Sequence, residues 1–438
     1  LQLLVHGENI SDTRVSLNYP GIYTEEVIRV ENPNYLFINL IISKDAKPGN
    51  FTIHFKGQDE KLQYEYELKK QRSKEGRYAG FNSSDMIYLV MPDRFANGNT
   101  ENDQIKEMLE QTGRNKPDGR HGGDIAGIIN HLDYIHELGA TAIWINPLLE
   151  NDMPAYSYHG YAITDFYNID KRFGSNEDYV KLVEKAHQKG IKVIMDVVFN
   201  HCGLKHYWIE DLPMKNWIHQ FPEFTRSNYR IPAVLDPHAS EADKKLMLQG
   251  WFDKNMPDLN QQNKYLATYL IQHTLWWIEY AGIDGIRLDT QPYGYKELIS
   301  DWSARVFEEY PDFNIVGEAW VEKPSWTAYW QKDAPVAAGY NSGLPSVTDF
   351  PLRNALSEAF NQRTTWKEGM NQIYFVLAED FLYADPYKNL VFVDNHDLDR
   401  FYSIINEDFD KFKMAMAFIA TTRGIPMIYY GTEILMTG

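Results

Sequence analysis

The sequence predicts an α/β protein, a (β/α)₈ barrel with an all-β module in front of it. Three observations carry this prediction. The first part of the chain reads as short strands, eight apolar runs then alternate mostly with helical patterns, and three of those runs end on acidic residues. With 438 residues the chain exceeds one ordinary domain and suits a barrel plus a smaller module.

The front module is expected over 1–80. Tyr35–Ile42 is an apolar run, Phe51–Phe55 alternates, and Leu62–Leu68 alternates with charge. Pro20-Gly21 and Pro48-Gly49 supply turns, so the pattern is a β-sandwich of the carbohydrate-module type. Lys69–Ser84 is charged, carries Gly76 and Gly80, and reads as a linker.

From 81 to 438 strand and helix signals alternate. Met86–Met91 is the first strand; Ile128–Leu138 has helical spacing, stopped at Gly139, before the strand Ala142–Ile145. The helix Tyr179–Gln188 leads into Lys192–Val198, Tyr265–Tyr280 into Gly285–Leu288, and Leu298–Glu309 into Asn314–Val316. Shorter strands are predicted at Val347–Phe350, Leu390–Val393 and Pro426–Tyr430. Continuous apolar strands alternating with helices imply a buried parallel sheet, and eight units match the closed barrel. The aromatic-rich, aperiodic stretch of about 201–255 reads as a subdomain inserted after strand three. The chain stops just past strand eight, so a final helix and anything beyond it are expected to be missing.

Hydrophobic residues make up 44% of the chain, enough for a sizeable core. Asp plus Glu total 61 against 43 for Lys plus Arg, a net charge of -18 that repels nucleic acid and anionic lipid and disfavours phosphorylated substrates. A neutral small-molecule substrate is the expectation. Cys202 is the only cysteine, so no intrachain disulfide can form. No run approaches the ~18 apolar residues of a membrane span. The chain opens on Leu1, so its start is expected to be trimmed together with any signal peptide, which leaves periplasm and cytoplasm both open.

Chemistry in such a barrel sits where strands end at one face. Strand four ends on Asp289, strand five on Gly317-Glu318, and strand seven on Asp394-Asn-His-Asp397, so Asp289, Glu318 and Asp397 reach one rim. Arg287 precedes Asp289 by two residues and shares its side of the strand. That cation favours an ionised nucleophile at Asp289, while a drier position between Gly317 and Trp320 favours a protonated acid at Glu318. Two carboxyl groups of opposed protonation suit glycoside hydrolysis, with retention if they lie ~5–5.5 Å apart. Asp397 would bind sugar hydroxyls more tightly in the transition state. Spacing alone leaves a metal-dependent barrel hydrolase open.

Six motifs in order resemble the α-amylase family, glycoside hydrolase family 13. They are Asp196-Val-Val-Phe-Asn-His201, Met256-Pro-Asp-Leu-Asn260, Gly285-Ile-Arg-Leu-Asp289, Gly317-Glu-Ala-Trp320, Asp394-Asn-His-Asp397 and Gly424–Glu433. The resemblance, over about 85–438, implies Asp289 as nucleophile, Glu318 as acid/base and Asp397 as stabiliser. It implies that Asp196 and Arg287 support the site and that His201 and His396 bond hydroxyls of the cleaved sugar. In Tyr158-His-Gly-Tyr161, Tyr161 is implied to stack on that sugar beside His159, and Arg400 matches a further sugar-site arginine. Trp320 is either core or a leaving-side platform.

The all-β front module and the Met-Pro-Asp-Leu-Asn motif narrow the likeness to neopullulanases, maltogenic amylases and, most of all, cyclomaltodextrinases. This implies a retaining hydrolase of α-1,4 bonds in cyclodextrins, pullulan or maltodextrins, and a homodimer. A transglycosylating member and a non-catalytic glucan-binding protein are the alternatives.

The oxygen-rich loop Asn97–Asp103 resembles that subgroup's Ca²⁺ site. Its implied ligands are Asn97, Asn99, Asn102, Asp103, the Gly122 carbonyl and Asp124. The sequence departs from the older amylases at Tyr293, where a second calcium site uses His, although Asn200 still matches one ligand of that site.

Overall fold

A computed structural model describes residues 1–57, 61–73, 79–337 and 339–438. Gly76 of the expected linker falls outside the described residues. The front module holds β1 (Gln2–His6), β2 (Arg14–Leu17), β3 (Ile22–Arg29), β4 (Tyr35–Ile42), β5 (Gly49–Lys56) and β6 (Lys61–Leu68). They form two antiparallel three-stranded sheets, β1-β4-β3 and β2-β5-β6. Leu36, Ile38 and Leu40 of the first face Phe51, Ile53 and Phe55 of the second in one apolar core. The residues facing this core alternate along each strand, and Tyr35 and Phe37, on the other face of β4, are buried as well.

The barrel strands are β7 (Ile87–Val90), β8 (Ala142–Ile145), β11 (Lys192–Val197), β12 (Gly285–Leu288), β13 (Asn314–Gly317), β14 (Ser346–Val347), β15 (Leu390–Val391) and β16 (Ile425–Tyr429). A small antiparallel ribbon of β9 (Leu149–Glu150) and β10 (Asp165–Ile169) follows β8. The eight barrel strands are parallel neighbours in the order β14-β13-β12-β11-β8-β7-β16-β15. A parallel bridge between Thr348 and Leu390 joins the two ends and closes the sheet. Ile87, Leu89, Trp144, Ile194, Val316 and Met427 fill the interior, so the barrel is a packed core.

Helix starts carry their expected chemistry. Ser175 and Asp178 form a reciprocal capping box on the helix Asn176–Gln188, and Asn263 caps Lys264–Ala281. Three elements differ from the sequence reading. The helix read over 128–138 is two pieces, Ile125–Asn130 and Leu132–Glu137, parted at His131. The strand read as Val347–Phe350 ends at Val347, because Asp349 accepts from the amide of Leu352 and starts a helix at Phe350. The strand read as Leu390–Val393 is only Leu390–Val391, although Phe392 and Val393 are equally buried. Apolar runs report burial, and these two remain buried after the ladder ends.

Residues 201–255 form an irregular lobe with short helices at Tyr207–Glu210 and Glu241–Gln249. Bridges His201–Asp258 and Ile218–Leu259 tie it to the chain returning toward the barrel.

Candidate active site

Asp289, Glu318 and Asp397 follow β12, β13 and β15, and all three line one cavity of about 480 Å³. The parallel register pairs Asp196 with Arg287 and Leu288 with Gly317, which brings the strand ends level. Gly317 is needed there: a Cβ would come within 1.8 Å of Oε1 of Gln291.

One guanidinium organises the floor. Arg287 Nη1 donates to Asp289 Oδ1 at 2.7 Å and to Asp196 Oδ1 at 3.0 Å, while Nη2 lies 2.7 Å from Glu318 Oε1. Thr290 also spans the pair, its amide donating to Glu318 Oε2 and its hydroxyl to Asp289 Oδ2, both at 3.0 Å. Thr290 sits at φ 48°, an uncommon backbone for a β-branched residue and a pattern of strain found at functional sites.

Electrostatics separate the carboxyl groups. Burial pushes Glu318 up to about 7, opposed by Arg287 and reinforced by Asp289 and Asp397. Burial also raises Asp289, but Arg287 and the Thr290 hydroxyl pull back toward the ionised form. Asp196 accepts from Arg287, from Trp144 Nε1 at 3.0 Å and from the Tyr161 hydroxyl at 2.9 Å. Burial pushes Asp196 up to about 7 as well, against the pull of Arg287 and Trp144. It is therefore geometry that singles out Glu318 as the acid: Glu318 lines the cavity, whereas Asp196 is spent on three donors beneath it.

Tyr161 stacks on His396 at 5.4 Å and 7°, and its hydroxyl meets His396 Nε2 at 2.7 Å. His201 stacks on Phe252 at 4.9 Å. Burial lowers His201 to about 4 and His396 to about 3, so both rings are neutral. His201 Nε2 and His396 Nδ1 are buried without partners among the described residues. His159 accepts from the Tyr161 amide through Nδ1 at 2.9 Å. Trp320 is 45% exposed, lines the cavity, and lies flat on Phe350 at 5.0 Å and 4°.

The structure thus gathers Asp289, Glu318, Asp397, His159, Tyr161, His201, His396 and Trp320 around one cavity, with Asp196 and Arg287 bonded beneath. Arg400 is not among the residues lining the cavity. Its guanidinium lies 4.0 Å from the Tyr429 ring centre and donates to the Tyr430 carbonyl at 2.6 Å. Sequence reasoning missed Thr290, Tyr229 and Phe252 as cavity residues, and it noted Tyr293 only as a departure. Thr290 was signalled by its place beside Asp289; Tyr229 and Phe252 lie in an aperiodic stretch that no spacing rule resolves.

In the loop after β7, Asn97 Oδ1 and Asn102 Oδ1 are buried without hydrogen-bond partners among the described residues. Asp103 Oδ1 accepts from Asn97 Nδ2 at 2.7 Å. Asp124 gathers the amides of Gly98, Asn99 and Gly127 at 2.9, 2.8 and 2.6 Å, and Asn99 Oδ1 accepts from the Glu101 amide. Gly122 has φ +85°, and a Cβ there would press within 2.5 Å of Asp103 Oδ1.

Residues 89–438 match the family profile "Alpha amylase, catalytic domain", and residues 1–72 match "Cyclomaltodextrinase, N-terminal". A cyclomaltodextrinase of Thermoanaerobacter pseudethanolicus is 32% identical over 370 residues, 81% of this chain and 58% of that protein. Neopullulanase 2 of Thermoactinomyces vulgaris is 32% identical over 365 residues, 81% of this chain and 57% of that protein. A crystal structure of an Anoxybacillus alpha-amylase superposes with a TM-score of 0.69 at 33% identity, covering 81% of this chain and 72% of that one. The chain therefore spans little more than half the length of these two curated relatives.

Proposed function

This chain belongs to the α-amylase family and carries a cyclomaltodextrinase-type front module, and from that premise we propose that it hydrolyses α-1,4 glucosidic bonds with retention. The proposed substrates are cyclodextrins, pullulan or maltodextrins. The observation that carries this reading is the joint hold of Arg287 and Thr290 on both Asp289 and Glu318 at one cavity.

In the proposed reaction Asp289 attacks the anomeric carbon while Glu318 gives its proton to the departing oxygen, leaving a glycosyl ester on Asp289. Glu318, now ionised, takes a proton from water, the water oxygen bonds to the anomeric carbon, and the Asp289 carboxylate leaves. Asp397 and the neutral His201 and His396 offer hydrogen bonds to sugar hydroxyls, and Trp320 offers a flat apolar face. The test is NMR of the first product from a maltodextrin. An α-anomer is expected; a β-anomer excludes the double displacement.

The residues of the β7 loop fit Ca²⁺, which takes six to eight oxygens. Asn97 Oδ1 and Asn102 Oδ1 are buried without donors among the described residues, and Asp103 and the Gly122 carbonyl would add further oxygen. Asn99 and Asp124, which already accept backbone amides, would have to exchange or share those bonds. Such an ion would pin this loop to the start of the helix Ile125–Asn130, a structural role only. The homodimer rests on the family resemblance, and sedimentation at micromolar concentration tests it.

A further inference from the structure

The front module docks on its own chain both on the helix Lys264–Ala281, where Gln2 and Gln272 exchange two hydrogen bonds of 2.8 Å, and on the inserted lobe. On the lobe the polar contacts fall on a short stretch around Asp211. Asp211 Oδ2 meets His6 Nε2 and accepts from Asn34 Nδ2, each at 2.9 Å, while Oδ1 accepts from Asn32 Nδ2. The Asp211 carbonyl accepts from the Tyr35 hydroxyl at 2.6 Å. Asn32 also donates to the Leu212 carbonyl at 2.9 Å, and Glu31 accepts from the Lys215 amide at 3.4 Å. Beneath this seam Phe37 of β4 stacks on Tyr265 at 4.8 Å and touches Trp217 at 6.1 Å.

Asp211 is only partly covered, with its side chain 33% exposed. Its hydrogen bonds from Asn34, His6 and Asn32 hold it below the usual carboxylate range, with burial opposing them. Three side chains from two segments of the front module thus converge on one carboxylate in the lobe. A surface ion pair on its own stabilises little, whereas a network of charge-assisted hydrogen bonds backed by stacked rings fixes geometry.

Beyond this seam the same lobe leads to the wall of the cavity. From Asp211 the chain runs to Trp217, whose carbonyl accepts from the Asn260 amide at 3.0 Å. His219 then pairs with Asp258 at 2.6 Å, and the carbonyl of His219 accepts from Trp251 Nε1 at 2.7 Å. Trp251 precedes Phe252, which stacks on His201, and His201 bridges Asp258 through the backbone. Hydrogen bonds, ring contacts and the short backbone stretches between them therefore link the front module to two cavity residues.

We propose that the front module is a clamp in cis, and that Asp211 is a positioning residue through which it holds the His201–Phe252 wall in place to bind the substrate. The proposal rests on the functional reading above for its kinetic consequence but not for its structural one. A wall that touches substrate equally before and in the transition state acts on KM and leaves kcat nearly alone.

The test is Asp211→Ala, with Asp211→Asn as the conservative variant and Glu241→Ala as a control in the same lobe. Hydrogen exchange at 217–221 and 250–260 should quicken by about tenfold in Asp211→Ala and less in Asp211→Asn, as local opening loses its restraint. KM for β-cyclodextrin should rise about 5- to 20-fold with kcat within about 3-fold. Glu241→Ala should leave both unchanged. If Asp211→Ala does not fold, Asn34→Ala and His6→Ala each remove one donor and should raise KM about 2- to 5-fold. Wild-type exchange at 250–260 in a folded variant overturns the clamp, as does a loss confined to kcat. If the wild-type chain cleaves no glucan, the functional reading fails by itself, and the exchange measurement still decides the clamp.

Discussion

The backbone amide of Thr290 donates to Oε2 of Glu318 at 3.0 Å, so the residue after Asp289 also fixes the second carboxyl group. Its hydroxyl holds Asp289 at the same distance. One residue in a left-handed backbone conformation thereby sets the relation between the two proposed reacting groups.

Thr290→Val keeps the shape and the amide but removes the hydroxyl. The expected result is a kcat about tenfold lower with KM within about twofold, since one charge-assisted hydrogen bond to the proposed nucleophile is lost. Steady-state kinetics on maltotriose check it; an unchanged kcat would show that this hydroxyl does no work in the reaction.

The raised Glu318 gives two pH predictions. A general acid must carry its proton, so kcat/KM should fall as pH rises through about 7. Its folded-state affinity for a proton exceeds that of the unfolded chain, so stability declines as pH rises from the ordinary glutamate range to about 7 and stays lower above it. Glu318→Gln removes that penalty. By thermal melts it should exceed wild type at pH 8, on the order of 1–3 kcal/mol, and match it near pH 4.

Removing the proposed sugar platform is a test of binding. Trp320→Ala should raise KM for cyclodextrin about 5- to 20-fold and change kcat far less, because a stacked face is used in ground state and transition state alike. Equal losses in kcat and kcat/KM would assign Trp320 to the transition state instead.

Calcium removal should read out as stability. Chelation and Asn97→Ala should each lower the melting temperature by several degrees while kcat at 25 °C stays within about twofold. The two effects should not add. An unchanged melting temperature after exhaustive chelation would refute the loop site.

Much of the proposed site was visible in the sequence because β-strand periodicity is rigid. The two-residue spacing of Arg287 and Asp289 places both on one side of a strand, and the structure has them 2.7 Å apart. Glu318 and Asp397 were equally readable, because strand ends in a parallel barrel share a rim. Boundaries were less readable. Phe350 and Phe392 are buried whether or not they belong to a strand, so hydrophobicity marked their burial and misplaced the ends of β14 and β15.

Local periodicity and motif order were enough to read the barrel, the front sandwich and the three acidic strand ends from the amino acids alone. Long-range packing alone reveals that Arg287 touches Asp196, Asp289 and Glu318 together, that Arg400 stays outside the cavity lining, and that His6, Asn32 and Asn34 converge on Asp211. Those relations join residues up to 205 positions apart, and contacts across such separations depend on how the closed sheet and its lobe pack, which no local pattern encodes.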